Sequence, residues 1–136
     1  MSTPIDDLIM NYPLTLTHFF ERARTLFPKK TLGTRVPGVG LVKSTYADFA
    51  DRTARLAGAL QALGVTKGDR VGTFAWNSTR HLEVYFAAPL MGAVLHTVNI
   101  RLSAQDITYI VNHAEDRVLI EEVVGRDPLV KAHPAW

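Results

Sequence analysis

The chain has 136 residues, fifteen Lys+Arg against thirteen Asp+Glu, and no cysteine. That length suits about one domain with a real hydrophobic core, and 47% hydrophobic with 21% charged residues excludes a disordered or collagen-like chain. Lack of cysteine excludes a disulfide scaffold, a thiolate metal site and a cysteine nucleophile, while scattered basic residues, densest at Lys29-Lys30, argue against nucleic acid.

Residues 1–13 read as an N-terminal arm. They carry Asp6 and Asp7 and no basic region of the kind that opens a secretory signal, so the expected compartment is the cytoplasm. Peripheral contact with a membrane stays open. The longest uncharged stretch, Val84 to Ile100, includes Pro89, Gly92, His96 and Asn99. It falls short of the ~20 apolar residues of a membrane span, so no transmembrane segment is expected.

Leu16, Phe19, Phe20, Ala23, Leu26 and Phe27 recur at helical spacing, which predicts an amphipathic helix stopped by Pro28. Thr31–Val36 and Gly40–Lys43 flank the turn signal Pro37-Gly38-Val39-Gly40, which predicts a hairpin. Thr45 to Asp48 resembles a capping box with Asp in place of Glu. It opens a helix whose apolar face holds Phe49, Thr53, Leu56, Ala57, Leu60 and Leu63, and Gly64 ends it.

Arg70–Ala75 reads as a short buried strand. Asn77-Ser78-Thr79 then caps a helix from about Arg80 to Gly92 that is apolar nearly all round, as a helix inside a layered protein is. Pro89 should kink it. Val94–Val98 is the next strand, Ser103–Asp106 caps a helix through Ile107, Ile110 and Val111, and Arg117–Glu122 is a last strand. Strands alternating with helices imply an α/β protein: a layered, mostly parallel sheet flanked by helices, with the hairpin at its N-terminal side.

The five histidines, His18, His81, His96, His113 and His133, form no close ligand pair. His81 and Glu83 point to different sides of their helix, and no metal site is expected. No Gly-x-Gly-x-x-Gly or Gly-Lys-Ser/Thr phosphate loop occurs. Ser44, Ser78 and Ser103 all fall at predicted caps, and no Gly-x-Ser-x-Gly elbow occurs. No catalytic residue is assigned. The substrate-binding candidates are Asn77, Arg80 and His81 after one strand and Arg101 after another, because ligands of open α/β sheets bind near the carboxyl ends of strands. The structural alternative is that Asn77 caps a helix and Arg101 pairs with an acid.

Thr45-Tyr46-Ala47 opening a helix, then Leu63-Gly64-Val65 and Lys67-Gly68-Asp69-Arg70-Val71, is similar to the adenylate-forming (AMP-binding) ligases. The run Tyr85 to Leu102 closely resembles long- and medium-chain fatty acyl-CoA synthetases, and Asp106-Ile107, Tyr109-Ile110 and Asn112-His113-Ala114-Glu115-Asp116 continue the likeness. The resemblance covers roughly Leu14 to Ile120 and implies the N-terminal part of that fold: an arm (1–13), an α/β subdomain (14–122) and an atypical tail (123–136). It implies that a full-length member activates a fatty acid with ATP and Mg²⁺ to an acyl-adenylate, then transfers the acyl group to CoA.

Family members supply a Ser/Thr/Gly-rich loop ending in Pro-Lys-Gly, a later Thr-Glu segment and a mobile domain with a catalytic Lys. None of these stands in this sequence. The resemblance therefore implies fatty acid, ATP and CoA as ligands of the full-length enzyme, no cofactor for this chain alone, and a chain inactive by itself. The alternative is a non-catalytic interaction or dimerisation module derived from that family, and the arm could pair two copies as a homodimer.

Overall fold

The computed structural model describes residues 13–122 and the backbone of a strand at Leu129–Ala132. The predicted arm and tail therefore lie largely outside the described residues. Helix α1 (Leu16–Leu26) leads into a hairpin, β1 (Thr31–Val36) and β2 (Gly40–Thr45). Then follow α2 (Tyr46–Ala62), β3 (Arg70–Phe74), α3 (Thr79–Leu90), β4 (Val94–Thr97), α4 (Ala104–Ala114), β5 (Val118–Glu121) and β6 (Leu129–Ala132).

The main sheet has the order β4-β3-β5-β6. β3 runs parallel to β4 and β5, and β6 closes one edge antiparallel to β5. The sheet is thus mostly parallel, as the alternation of elements requires. Sequence reading found no strand after Glu122; β6 is an addition. Each parallel crossover places a helix over the sheet, and the core forms where α2 and α3 meet it. It is built from Leu60, Val65, Val71, Val84, Ala87, Ala88, Ala93, Val118 and Ile120.

Helix ends follow local chemistry. Thr45 and Asp48 make a reciprocal capping box: the Asp48 amide donates to Thr45 Oγ1 at 3.1 Å and the Thr45 amide to Asp48 Oδ2 at 3.0 Å. Ser78 and Ser103 cap α3 and α4. Ser44 does not cap; it lies in β2, and its hydroxyl is buried without a partner. Gly64 closes α2 at φ +83°, with the Val65 amide donating to the Leu60 carbonyl in a Schellman arrangement. Pro89 lies one residue from the end of α3. A kink needs helix on both sides, so the proline helps terminate α3 instead.

Helix α1 buries less than its pattern suggests. Of its six predicted apolar contacts only Phe20 is buried, where it joins Phe49 and Phe86 in an aromatic cluster with centroids 5.5–6.1 Å apart. Phe19 is 68% exposed and Leu26 is 56% exposed, because α1 meets the body at this one cluster and no described element covers its outer side. Among the described residues no helix is long and apolar enough to cross a membrane.

Candidate functional site

A cleft of about 380 Å³ opens at the carboxyl ends of β3 and β5, beside α2 and α3. Its apolar wall is Leu56, Val84 and Ile120; its polar groups include Arg52, Arg55, Arg80, His81, Glu83 and Glu122. A smaller cleft of about 300 Å³ lies between the hairpin and the start of α3, bordered by Thr34, Asn77, Ser78, His81 and Tyr85.

The helix start at α3 is held from three sides. Ser78 Oγ accepts from the His81 amide and donates to the Glu122 carboxylate, both at 3.1 Å. Thr34 Oγ1, from the hairpin, accepts the Thr79 amide at 2.8 Å. These contacts bring side chains forty-odd residues apart to one helix terminus.

His81 is buried and shared by both clefts. Its Nδ1 lies 3.2 Å from the Trp76 carbonyl, which can only accept, so Nδ1 carries the proton. Nε2 then accepts from the Thr73 hydroxyl at 3.0 Å. Burial holds the imidazole below its ordinary pKa of 6.5, against the opposing pull of the Trp76 carbonyl and the Glu122 charge. As pH falls through about 6.5 the unfolded chain binds the proton more readily than the folded one, so stability declines. His81→Gln should flatten this acid limb. Urea midpoints of the wild type should drop more than those of the variant between about pH 7 and about pH 5; equal drops would exclude His81 as the cause.

Glu83 faces the other way, toward α2. Arg52 Nε donates to its Oε1 at 2.7 Å and Arg52 Nη2 to its Oε2 at 3.2 Å, a two-pronged ion pair. His81 and Glu83 do occupy different sides of α3, yet both border the large cleft because sheet and α2 flank the helix together.

Of the four sequence candidates, Arg80 and His81 meet at the large cleft, and Asn77 joins His81 only at the smaller one. Arg101 borders neither; it is exposed after β4, where its amide donates to Asn99 Oδ1 at 3.0 Å. Sequence reading placed Glu83 in the polar cluster after β3 but missed Arg52, Arg55, Thr73 and Glu122, which come from α2, β3 and the end of β5. Parity along a strand could have flagged Thr73 as buried; nothing local marks Arg52 as the partner of Glu83.

The described residues lining the two clefts do not fit an ATP–Mg²⁺ site. The cleft's cations are matched in part by Glu83, which pairs with Arg52, and by Asp51, whose carboxylate lies 2.8 Å from Arg55. The two partnerless buried side-chain atoms among the described residues, Ser44 Oγ and Arg70 Nε, belong to residues that border neither cleft. No group of three His, Asp or Glu suited to a cation occurs among the described residues. What the arrangement does provide is a mostly apolar recess edged by charged side chains at a strand terminus.

This layered α/β arrangement, with a recess at the carboxyl ends of its strands, is that of an open α/β ligand-binding fold. Residues 20–135 match the AMP-binding enzyme family, and the chain belongs to it. It is 52% identical over 112 residues to a long-chain-fatty-acid–CoA ligase of Thermus thermophilus, covering 82% of this chain and 21% of the relative. It is 44% identical over 101 residues to a medium-chain-fatty-acid–CoA ligase of Ectopseudomonas oleovorans, covering 68% and 18%. Among solved structures, the Mycobacterium tuberculosis fatty acyl CoA synthetase superposes with a TM-score of 0.70 at 29% identity, over 79% of this chain and 21% of that one. The chain thus spans about a fifth of the length of these relatives.

Proposed function

We propose that the chain is the N-terminal portion of a fatty acid–CoA ligase acting in the cytoplasm. With ATP and Mg²⁺ the complete enzyme would convert the fatty acid carboxylate to an acyl-adenylate, and CoA thiol would then displace AMP. The observation that carries this reading is the 52% identity to a long-chain relative, running through 82% of the chain. In this proposal residues 14–122 form the subdomain, residues 1–13 an arm and residues 123–136 a tail. Arg80 and His81 are the cleft groups nearest a ligand role; Asn77 and Arg101 lie apart from that cleft.

These residues by themselves are not expected to ligate. The sequence holds no Ser/Thr/Gly-rich loop ending in Pro-Lys-Gly, and phosphoryl chemistry needs donors and a metal placed where charge develops. Purified chain given ATP, Mg²⁺, CoA and radiolabelled fatty acid should form no acyl-CoA above a protein-free control. Turnover would overturn the inactivity. Sequencing the coding DNA past the Trp136 codon in all frames tests the ligase reading itself: a Pro-Lys-Gly phosphate loop supports it, and unrelated DNA opposes it.

A second reading, an interaction or homodimerisation module, is favoured by the outer side of α1, where Leu16, Phe19 and Leu26 are all exposed. Light scattering that finds only monomer at high concentration would remove it.

A further inference from the structure

Strand β4 is an edge strand of four residues, and among the described residues its only strand neighbour is β3. Its neighbour on the far side of β3 is β5. At the middle of β3 stands Gly72, paired in register with His96 of β4 on one side and Leu119 of β5 on the other. Asp116, just before β5, is fully buried and places its carboxylate against Gly72. From there it reaches His96, whose Nδ1 lies 2.8 Å from Oδ2 and 3.0 Å from Oδ1. A side chain at position 72 would fill that slot, since its Cβ would sit 2.8 Å from Asp116 Oδ2.

We propose that His96 and Asp116 are a positioning pair. They tie edge strand β4 to the start of β5 across the central strand, through the opening left by Gly72. The turn after β4, Val98–Leu102, is thereby held against the end of β3.

Two observations connect the tie to that turn. The Val98 amide donates to the Thr73 carbonyl at 2.8 Å, directly after the strand that carries His96. Thr73 in turn bonds His81 through its hydroxyl, so the same residue serves the end of β4 and the cleft. The bend that presents Asp116 is itself braced. Glu115 adopts φ 52°, and Arg70 of β3 bonds its carboxylate at 3.0 Å. Arg70 also lends its charge to the buried Asp116 carboxyl, which burial pushes above its ordinary range and His96 pulls back. A buried carboxylate depends on its donor, because ionised groups away from water are costly unless hydrogen-bonded. His96 is therefore expected to be held, and to hold β4 in return. The inference does not depend on the ligase reading.

Amide hydrogen exchange on the 136-residue chain tests it, with two substitutions. His96→Phe keeps a ring and removes the donor. His96→Asn keeps a nitrogen donor near the position of Nδ1. His96→Phe should speed exchange of the Val98 and Arg101 amides by about tenfold or more while α2 and α3 amides keep their rates, as local opening does. His96→Asn should restore most of the protection. Equal acceleration everywhere, no acceleration at β4, or no rescue by Asn would each overturn the positioning role. Should His96→Phe not fold, the wild type decides by nuclear magnetic resonance. The imidazole nitrogen shifts of His96 should show the proton carried on Nδ1 toward Asp116, and a bare Nδ1 would refute the tie.

Discussion

Gly72→Ala should destabilise the protein by about 3 kcal/mol, from overpacking (about 1–3 kcal/mol) plus the weakening of a buried hydrogen bond. Its backbone is ordinary strand, so the cost is not one of dihedral freedom. The new methyl would stand 2.8 Å from Asp116 Oδ2 and 2.9 Å from Leu119 Cδ1. Leu119 can turn its half-buried side-chain tip aside, but Asp116 cannot retreat easily, because it is 1% exposed and bonded to His96. Gly58→Ala is the matched control. Gly58 lies inside α2 with nothing within 4 Å of a new Cβ, so alanine there should stabilise by up to about 1 kcal/mol through helix propensity. Urea denaturation of both variants gives the comparison. Equal stability of Gly72→Ala and wild type would mean that the sheet shifts freely around position 72.

Arg52→Ala should cost about 2–3 kcal/mol, well above the ~0–1 kcal/mol of a surface ion pair. The reason is the asymmetry of the pair. Glu83 is only 6% exposed while Arg52 is 45% exposed, so the guanidinium is partly wet and the carboxylate is not. Removing the arginine leaves a buried charge with neither of its two donors. That penalty is set below the ~3–5 kcal/mol of a fully enclosed pair because water reaches the Arg52 side. Replacing both, Arg52→Met with Glu83→Leu, should recover most of the loss, since a buried ion pair exchanged for apolar side chains is often neutral or better. The double-mutant cycle separates the terms. A neutral Arg52→Ala would show that α2 and α3 do not rely on this bridge.

Local signals in the sequence were read well where one element carries its own physics. The Thr45–Asp48 box, the Schellman glycine at Gly64 and the caps at Ser78 and Ser103 depend on neighbours three to five residues away, and each formed as the residues imply. The α2 face was legible for the same reason, since Phe49, Thr53 and Leu60 are buried and Leu56 and Ala57 pack against the core, but Leu63, predicted on that face, is the C-cap and stays exposed. The outer α1 positions misled because a helical stripe states which side could be buried, not whether a partner is present to bury it. Ser44 misled in a similar way: its type suits a cap, but the reciprocal box already used Thr45.

The candidate site was legible only in part. Arg80 and His81 follow β3 and reach the cleft because the carboxyl end of a parallel strand opens there. Arg101 follows β4 by the same rule, but β4 is the sheet edge, and its exit lies away from both clefts.

By itself the sequence determined the elements from α1 to β5, their order and the parallel character of the sheet, because periodicity, caps and turn residues act over a few residues at a time; the family followed from the likeness of its motifs. Tertiary structure alone decided which polar groups distant in the chain meet. Arg52 and Glu83 are 31 residues apart, His96 and Asp116 are 20 apart, and Thr34 and Thr79 are 45 apart. Such pairs arise from how helices cross a sheet and from the space one glycine leaves open. No local pattern encodes either.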